Sequence, residues 1–207
     1  IKVISTKGDR ILDRPLASIG DKGLFTKEIE EQLLSGEIDM AVHSMKDMPS
    51  ILPEGLVFSG TIMAEDPRDC LVFNGDYHSI DDLPLGAKVG TGSPRRKSQL
   101  LKYRSDLNIV GIRGNVQTRI RKMHEENMDA IVLACAGLKR LNDEHYIGHA
   151  LPYDVMIPAA AQGILAIEVK AGSPLLEMLK NIEDHKSTRR MELERLYLST
   201  IGGSCHV

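Results

Sequence analysis

Two adjacent arginines at the start of a predicted helix are the first residues of this sequence that could do chemistry. The stretch "VGTGSPRRKSQL" begins as a strand and continues as a helix, with Ser93 as N-cap and Pro94 in the first helical position. Arg95 and Arg96 then lie in the first turn, where the helix dipole disfavours cations by about 0.3–1 kcal/mol each. A bound anion would offset that cost, so the pair predicts an anion site.

Polar and cationic side chains also follow three other predicted strands. They are His43, Ser44, Lys46 and Asp47 after "IDMAV"; Arg113, Gly114, Asn115 and Arg119 after "NIVGI"; and Gly137, Lys139 and Arg140 after "DAIVLA". Thr91 and Ser93 stand in the same position before the arginine pair. In open α/β sheets, ligands bind outside the carboxyl ends of the strands, where helix N-termini add their N–H groups. The pattern predicts a cleft for a small, highly anionic ligand.

The sequence contains no phosphate-binding motif that would identify this anion. The Gly-x-x-x-x-Gly-Lys-Ser/Thr loop is absent, and "GTGSPR" lacks the third glycine of a dinucleotide fingerprint. Arginine binds carboxylates as well as phosphates through paired hydrogen bonds, so a ligand with many carboxylates satisfies the pattern.

Each of these residues also has an ordinary structural interpretation. Ser44 and Asp47 have the spacing of a capping box, which alone would explain an acid at that position. Arg113 and Arg119 could pair with acids further along their helix, and the arginine pair could be a solvated helix end. The sequence would lack an anion site only if all of these interpretations held at once. This favours the prediction of an anion site.

Composition excludes several classes of protein. The chain has 207 residues, a net charge of −3, 42% hydrophobic and only 4% aromatic residues with no Trp, which argues against a base-stacking nucleic-acid surface. No apolar run approaches the ~20 residues that span a bilayer, so no membrane partner is expected. The three cysteines form no Cys-x-x-Cys pair, which predicts a cytoplasmic protein without disulfides or a metal site. Cys70 and Cys135 have apolar neighbours, whereas Cys205 in "GGSCHV" has none.

Alternation of strands and helices predicts an α/β fold with mainly parallel sheets. The predicted strands are "IKVIS", "IDMAVH", "LVFSGTIM", "CLVFN", "AKVGTG", "NIVGIR", "DAIVLA" and "GILAIEV". A helix in "LFTKEIEEQLLSG" places Phe25, Ile29 and Leu33 on one face and ends at Gly36. The segments "AEDPRD" and "VMIPAAAQG" are predicted to cross between two lobes, and the chain becomes helical and charged from about Glu183.

Six segments, in this order, resemble the porphobilinogen deaminase (hydroxymethylbilane synthase) family. They are "AVHSMKDMPS", "GTGSPRRKSQL", "IRGNVQTRIRK", "LACAGLKRL", "IPAAAQGILAIE" and "GGSCHV", and they are distributed along most of the chain, from Ala41 to Val207. The resemblance implies a monomeric transferase that joins four porphobilinogen molecules head to tail, releasing ammonia, into hydroxymethylbilane. Each pyrrole carries an acetate and a propionate, which explains a site for many carboxylates.

The resemblance also implies a role for each site residue. Asp47 matches the catalytic aspartate, and Cys205 matches the cysteine that holds a dipyrromethane cofactor through a thioether. The other cofactor-binding matches are Ser44, Lys46, Thr91, Ser93, Arg95, Arg96, Arg113 and Gly114, and the substrate-binding matches are Arg113, Arg119, Arg140 and Gln162. The family loop commonly reads Thr-Ser-Ser-Leu-Arg-Arg, so Gly92 and Pro94 are departures, and Gly92 removes one hydroxyl donor.

The expected architecture is two periplasmic-binding-protein-like lobes around a cleft, followed by a third α+β domain. Residues 1–66 with about 162–182 are assigned to domain 1, 67–161 to domain 2, and 183–207 to the start of domain 3. We expect the family's first strand, with its Arg-x-Ser segment, and most of domain 3 to lie outside this sequence. The main alternative is a two-lobed binding module that takes up a polycarboxylate without chemistry, which leaves Asp47 and Cys205 without a role.

Overall fold

The computed structural model describes residues 1–4, 6, 26–49 and 51–201. These residues form two compact units. Unit 1 contains the described residues up to Ala64 and from Ile164 onward, and unit 2 is the continuous segment Glu65–Gly163. The chain passes from one unit to the other between Ala64 and Glu65, inside the predicted crossover "AEDPRD", and between Gly163 and Ile164, at the end of the predicted crossover "VMIPAAAQG".

Unit 1 is built on a three-stranded sheet. Its elements are α1 (Lys27–Ser35), β1 (Met40–Ser44), β2 (Leu56–Phe58), β8 (Leu165–Lys170), α5 (Leu175–Leu179) and α6 (His185–Thr200), with 3₁₀ turns at Met45–Asp47 and Lys180–Ile182. Strand β8 lies in the middle and pairs antiparallel with both β1 and β2. Leu33 of α1 packs with Ala41 and Leu56 of the sheet, and α1 ends at Gly36 in the left-handed conformation (φ +79°).

Unit 2 is built on a five-stranded sheet. Its elements are β3 (Asp69–Phe73), β4 (Lys88–Gly90), α2 (Pro94–Tyr103), β5 (Asn108–Val110), α3 (Val116–Glu125), β6 (Ala130–Ala134), α4 (Cys135–Arg140), a 3₁₀ turn (Glu144–Tyr146) and β7 (His149–Ala150). The strand order is β5-β4-β6-β3-β7. Strands β5, β4 and β6 are parallel, and β7 shares their direction because β3 pairs antiparallel with both β6 and β7.

The predicted α/β class is confirmed, and most strands of unit 2 run in one direction. Each sheet also contains one strand that opposes its neighbours, β3 in unit 2 and β8 in unit 1. Both strands come directly after the chain has crossed from the other unit. They are not reached through a strand–helix–strand crossover, which is the connection that makes successive strands parallel.

The sequence prediction was wrong in three details of the strands. Residues 1–4 of "IKVIS" form no strand, and the side chains of Ile1 and Val3 are exposed. The segment "LVFSGTIM" forms a strand only from Leu56 to Phe58. The two-residue strand β7 was not predicted, since it is too short to show a hydrophobic pattern.

The sheet of unit 2 is buried on both faces. Alternate residues of β6 point to opposite sides, so Ala130 and Val132 join one apolar cluster while Ile131 and Leu133 join the other. Leu100 of α2 lies in the first cluster. Helices α3 and α4 cover the opposite face, which gives a helix–sheet–helix sandwich.

Helix α6 begins close to Glu183, where the sequence becomes helical and charged. Its first turn packs within unit 1: the Ser187 hydroxyl accepts a hydrogen bond from the Ala64 N–H (2.9 Å), and the Thr188 hydroxyl accepts one from the Thr61 N–H (3.0 Å). Farther along, Arg195 donates to the Pro49 carbonyl at 2.6 Å. The assignment of this helix to a third domain stays a prediction.

Candidate active site

The carboxyl ends of three neighbouring parallel strands meet at one edge of unit 2. Strands β5, β4 and β6 are adjacent and parallel, and each is followed within a few residues by a helix, α3, α2 and α4 respectively. The polar residues that follow these strands therefore lie along the same edge, together with three helix N-termini. This is the arrangement in which α/β proteins bind anionic ligands.

At this edge the arginine pair contacts an acid of its own chain. Asp69, the first residue of β3, accepts hydrogen bonds from Arg96 through one oxygen, from Nε at 3.0 Å and Nη2 at 2.7 Å. Its other oxygen accepts a hydrogen bond from Nη2 of Arg95 at 2.7 Å. Arg96 also donates to the Val132 carbonyl at 3.0 Å, and Arg95 to the Ile157 carbonyl at 2.5 Å. The anion predicted beside the pair is thus supplied, in part, by Asp69.

Asp69 is a site residue that the sequence analysis missed. Its side chain is 0% exposed, and Gln162, itself buried, donates to it at 3.0 Å and to the Pro67 carbonyl at 2.6 Å. Burial alone would raise the pKa of the Asp69 carboxyl, but the charges of Arg96 and Arg95 and the hydrogen bond from Gln162 together outweigh burial and hold that pKa below its usual value. The residue stands beside the predicted crossover "AEDPRD", and no sequence spacing connects it to arginines 26 and 27 positions away.

The hydroxyls before the arginine pair shape the start of α2. Ser93 is the N-cap, as predicted, and its side chain accepts a hydrogen bond from the Arg96 N–H at 3.4 Å. Thr91 is buried, and its hydroxyl accepts a hydrogen bond from the Ser93 N–H at 3.2 Å. Both hydroxyls therefore hold the backbone from which the two arginines project.

The segment after β5 forms a tight turn into α3. Gly114 has φ +123°, and a Cβ there would lie 2.5 Å from Cγ2 of Thr118, so glycine is required. Asn115 caps the helix by accepting a hydrogen bond from the Thr118 N–H at 2.9 Å. Arg119 donates from Nε to the Gly114 carbonyl at 2.7 Å, and Arg113 is half-buried in the same turn.

The segment after β6 brings α4 to the ends of the crossing segments. Arg140 donates to the Gly163 carbonyl at 2.7 Å, and Lys139 forms a 3.0 Å ion pair with Glu65. The Glu65 N–H also donates to the Gly163 carbonyl at 3.0 Å. Within unit 2, the first and last residues are therefore held together by both cations of α4.

The fourth predicted segment, after β1, lies in unit 1. Ser44 precedes the 3₁₀ turn, but its side chain makes no capping hydrogen bond, so the capping-box interpretation of Ser44 and Asp47 is wrong. Among the described residues, the exposed Asp47 carboxylate has no hydrogen-bond or ion-pair partner. Lys46, beside it, is half-buried.

A buried contact between a histidine and a glutamate holds the end of β1, just before Ser44, against β8. His43 lies 3.0 Å from the Glu168 carboxylate of β8, and both side chains are buried. The Met45 N–H donates to the Ile164 carbonyl at 3.0 Å. The backbone on either side of Ser44 is therefore fixed, while Asp47 at the end of the turn is exposed.

Two of the three cysteines are core residues, as predicted. Cys70 and Cys135 are both buried in one apolar cluster of unit 2. Cys205, the predicted attachment point of the cofactor, lies outside the described residues. Of the helices that the structure describes, none combines the length and apolar character needed to cross a membrane.

Comparison with known sequences gives the class of protein to which this fold and site belong. The family model of the porphobilinogen deaminase dipyrromethane-cofactor-binding domain matches residues 1–177. A porphobilinogen deaminase of Clostridium novyi (strain NT) is 57% identical over 211 aligned positions, covering all of this chain and 70% of the relative. That of Clostridioides difficile (strain 630) is 55% identical, covering all of this chain and 69% of the relative. The chain belongs to the porphobilinogen deaminase family.

Partial similarity also extends to solved structures of low sequence identity. The VFT2 domain of Bordetella pertussis BvgS is 17% identical, with a TM-score of 0.46 over 80% of this chain and 72% of that one. The GluR0 ligand-binding core of Nostoc punctiforme, in complex with L-glutamate, is 18% identical, with a TM-score of 0.39 over 85% and 74% of the two chains. The family assignment rests on the sequence matches.

Proposed function

We propose that this protein is a hydroxymethylbilane synthase, which joins four porphobilinogen molecules head to tail and releases one ammonia at each condensation. The growing chain starts on a dipyrromethane cofactor held by Cys205 through a thioether. The family model that matches this chain is named for that cofactor, and it covers most of the sequence. The alternative, a binding module without chemistry, is not favoured by the family membership.

The observation that carries the proposal is the state of Asp47. Its carboxylate is exposed at the end of a fixed turn and has no partner among the described residues. An acid without a capping or ion-pairing role is available to a substrate. In a site for polycarboxylates it would repel the ligand, unless the reaction develops a positive charge that the acid stabilises.

That positive charge arises when neutral ammonia leaves the aminomethyl group of porphobilinogen, which is protonated to the ammonium form at neutral pH. The electron pair of the breaking C–N bond departs with nitrogen, and the remaining positive charge spreads to the pyrrole nitrogen. Asp47 is proposed to lie next to this nitrogen and stabilise the charge. After the new C–C bond forms, the α-carbon that attacked must lose a proton, and a positioned carboxylate can assist this transfer.

The polar edge of unit 2 is proposed to bind the acetate and propionate groups. Two of the five N–H donors of Arg95 are used by Asp69 and Ile157, and the other three have no acceptor among the described residues. Carboxylate-rich pyrroles therefore fit the donors at this edge. The other proposed ligand contacts of unit 2 are Thr91, Ser93, Arg96, Arg113, Gly114, Arg119, Arg140 and Gln162, and those proposed in unit 1 are Ser44 and Lys46.

The dipyrromethane group fits the same chemistry, since it carries the same carboxylates as the substrate. When bound, it supplies the pyrrole α-carbon to which the first substrate is added. The residues proposed to hold it are Cys205 as the covalent link and the arginine pair as carboxylate ligands. Gly92, where the family commonly has serine, leaves the hydroxyls of Thr91 and Ser93 as the donors of that loop.

The first test is the intact mass of the purified protein, followed by peptide mapping. We expect a mass excess equal to two linked pyrrole units on the peptide that contains Cys205. If the protein is incubated with porphobilinogen and Cys205 remains an unmodified thiol, the proposed cofactor attachment is wrong.

The second test is the substitution Asp47→Asn, with ammonia release from porphobilinogen as the assay. We expect kcat to fall by about 100-fold or more, the scale of losing one positioned charged group. The melting temperature should not change, because Asp47 has no described partner. Asp39→Asn is the matched control, since Asp39 is also exposed and lies at the opposite end of β1. Near-normal turnover of Asp47→Asn would exclude the catalytic role.

The finer parts of the proposal concern organisation and location. Residues 1–66 with about 162–182 are proposed as domain 1, 67–161 as domain 2, and 183–207 as the start of domain 3. We propose that the enzyme is monomeric and cytoplasmic and acts without nucleic-acid or membrane partners. The family resemblance supports the monomer, and three cysteines without a disulfide pattern support a reducing compartment.

A further inference from the structure

We propose that Asp69 is the positioning residue of the arginine pair, holding the guanidinium groups of Arg95 and Arg96 where they bind the carboxylates of the ligand. This inference rests on the proposed function, in which the pair binds those carboxylates. Asp69 itself does not contact the ligand. It acts through the two arginines.

The contacts of Asp69 leave its carboxylate little freedom. One oxygen accepts hydrogen bonds from Nε and Nη2 of Arg96 and from Gln162, and the other accepts one from Arg95. Its backbone is fixed as well, because its carbonyl accepts a hydrogen bond from the Leu151 N–H at 2.8 Å and it pairs with Ala134 of β6. Asp69 is thus a fixed point to which both guanidinium groups are attached.

The two arginines differ in what remains available for a ligand. Arg96 is almost fully buried, its side chain 7% exposed, and three of its five N–H donors, one on each guanidinium nitrogen, are used within unit 2. The Arg95 side chain is 16% exposed and keeps three N–H donors without a described acceptor. Asp69 therefore holds the partly exposed Arg95 guanidinium against a buried ion pair with Arg96.

Charge gives a second reason for Asp69 to control the pair. Two guanidinium groups at a helix N-terminus repel each other and the helix dipole, so without an acid they would separate and turn toward solvent. Asp69 lies between them and leaves a net charge of about +1 on the trio, as the charges of its three side chains require. One excess positive charge on a fixed frame suits one ligand carboxylate.

Asp66 provides a matched comparison three positions upstream. It also forms an arginine ion pair, with Arg68 at 2.7 Å, and its side chain is mostly buried. No hydrogen bond or ion pair joins it to either member of the arginine pair among the described contacts of unit 2. Removing its charge tests the loss of an acid–arginine pair without disturbing the proposed site.

The experiment compares Asp69→Asn with Asp66→Asn in the purified enzyme. Steady-state ammonia release gives KM and kcat for porphobilinogen, and intact mass gives the fraction of protein that carries the pyrrole adduct. For Asp69→Asn we expect KM to rise about 10- to 100-fold with a smaller change in kcat, the range for one misplaced charge-assisted hydrogen bond. Adduct occupancy should fall, while Asp66→Asn should keep KM within about twofold.

A second variant covers the case in which Asp69→Asn does not fold. Asp69→Glu keeps the buried negative charge but moves the carboxylate by one methylene, so folding should survive while the guanidinium groups shift. We expect a raised KM and a melting temperature that falls, because the added methylene must fit a fully buried site, but falls less than in Asp69→Asn, which leaves both guanidinium groups without their anion. A wild-type KM in either folded variant would overturn the inference alone. Absence of ammonia release from the wild-type enzyme would instead overturn the proposed function, and the inference with it.

Discussion

Replacing Gly163 with alanine perturbs a close approach between two backbone segments of unit 2. Gly163 has φ +83°, and a Cβ added there would lie 2.4 Å from the Glu65 carbonyl oxygen. Gly86, in the same unit, has a similar φ of +75° and nothing within 4 Å of its Cβ position. Alanine at position 86 therefore loses only the free energy needed to hold a left-handed backbone. Alanine at position 163 has the same cost and must also displace the neighbouring backbone at Glu65.

The size of the effect follows from these contacts. A left-handed conformation costs a non-glycine residue about 1 kcal/mol, and this applies at both positions. At Gly163, relieving the contact shifts the Gly163 backbone away from Glu65, which weakens two hydrogen bonds to the Gly163 carbonyl, from the Glu65 N–H (3.0 Å) and from Arg140 (2.7 Å). One neutral and one charged hydrogen bond together contribute about 2–4 kcal/mol. We expect a total loss of about 3–5 kcal/mol for Gly163→Ala and about 1 kcal/mol for Gly86→Ala.

Urea denaturation followed by circular dichroism measures both losses as differences in the free energy of unfolding. The two variants share the backbone cost, so the difference between them isolates the close approach to Glu65. Equal losses, within about 0.5 kcal/mol, would show that the chain relaxes around the added methyl group. The reasoning from the 2.4 Å contact would then be wrong.

Two further predictions concern stability. Burial raises the pKa of the Glu30 carboxyl in α1. Above this raised pKa the buried charge destabilises the folded protein. The destabilisation disappears as the pH falls below the pKa that Glu30 has in the unfolded chain. Glu30→Gln should therefore raise the free energy of unfolding by about 1 kcal/mol at pH 7 but not at pH 4 in urea titrations, and an equal gain at both values would contradict this. Asn115→Ala should lower the melting temperature by removing the cap of α3, at a cost of about 1 kcal/mol. Asn115→Asp should restore the melting temperature, and an Asn115→Ala protein as stable as the wild type would show that the cap contributes nothing.

The local features of the site were accessible from the sequence. Ser93 and Pro94 placed the start of α2 correctly because capping depends on residues a few positions apart. The common edge of β4, β5 and β6 followed from alternation of strands and helices, which forces parallel neighbours.

Asp69, the ion-pair partner of Arg95 and Arg96, could not be predicted from the sequence. Asp69 lies in a stretch that looks like an exposed connection, and it meets Arg95 and Arg96 only because β3 enters the sheet beside β6. The antiparallel direction of β3 was missed for the same reason, since strand direction after a crossing between units has no local signal. Contacts of this kind depend on the complete topology, which periodicity and spacing do not contain.

The central position of β8 has a consequence for the order of folding. Within the described part of unit 1, β1 and β2 pair only with β8, and the contact between His43 and Glu168 spans 125 residues. During synthesis all of unit 2, Glu65–Gly163, leaves the ribosome before β8 does. Unit 2 can therefore complete its sheet while β1 and β2 still have unpaired edges. The unit encoded in the middle of the chain is expected to fold first, and the unit that contains the amino-terminal strands last.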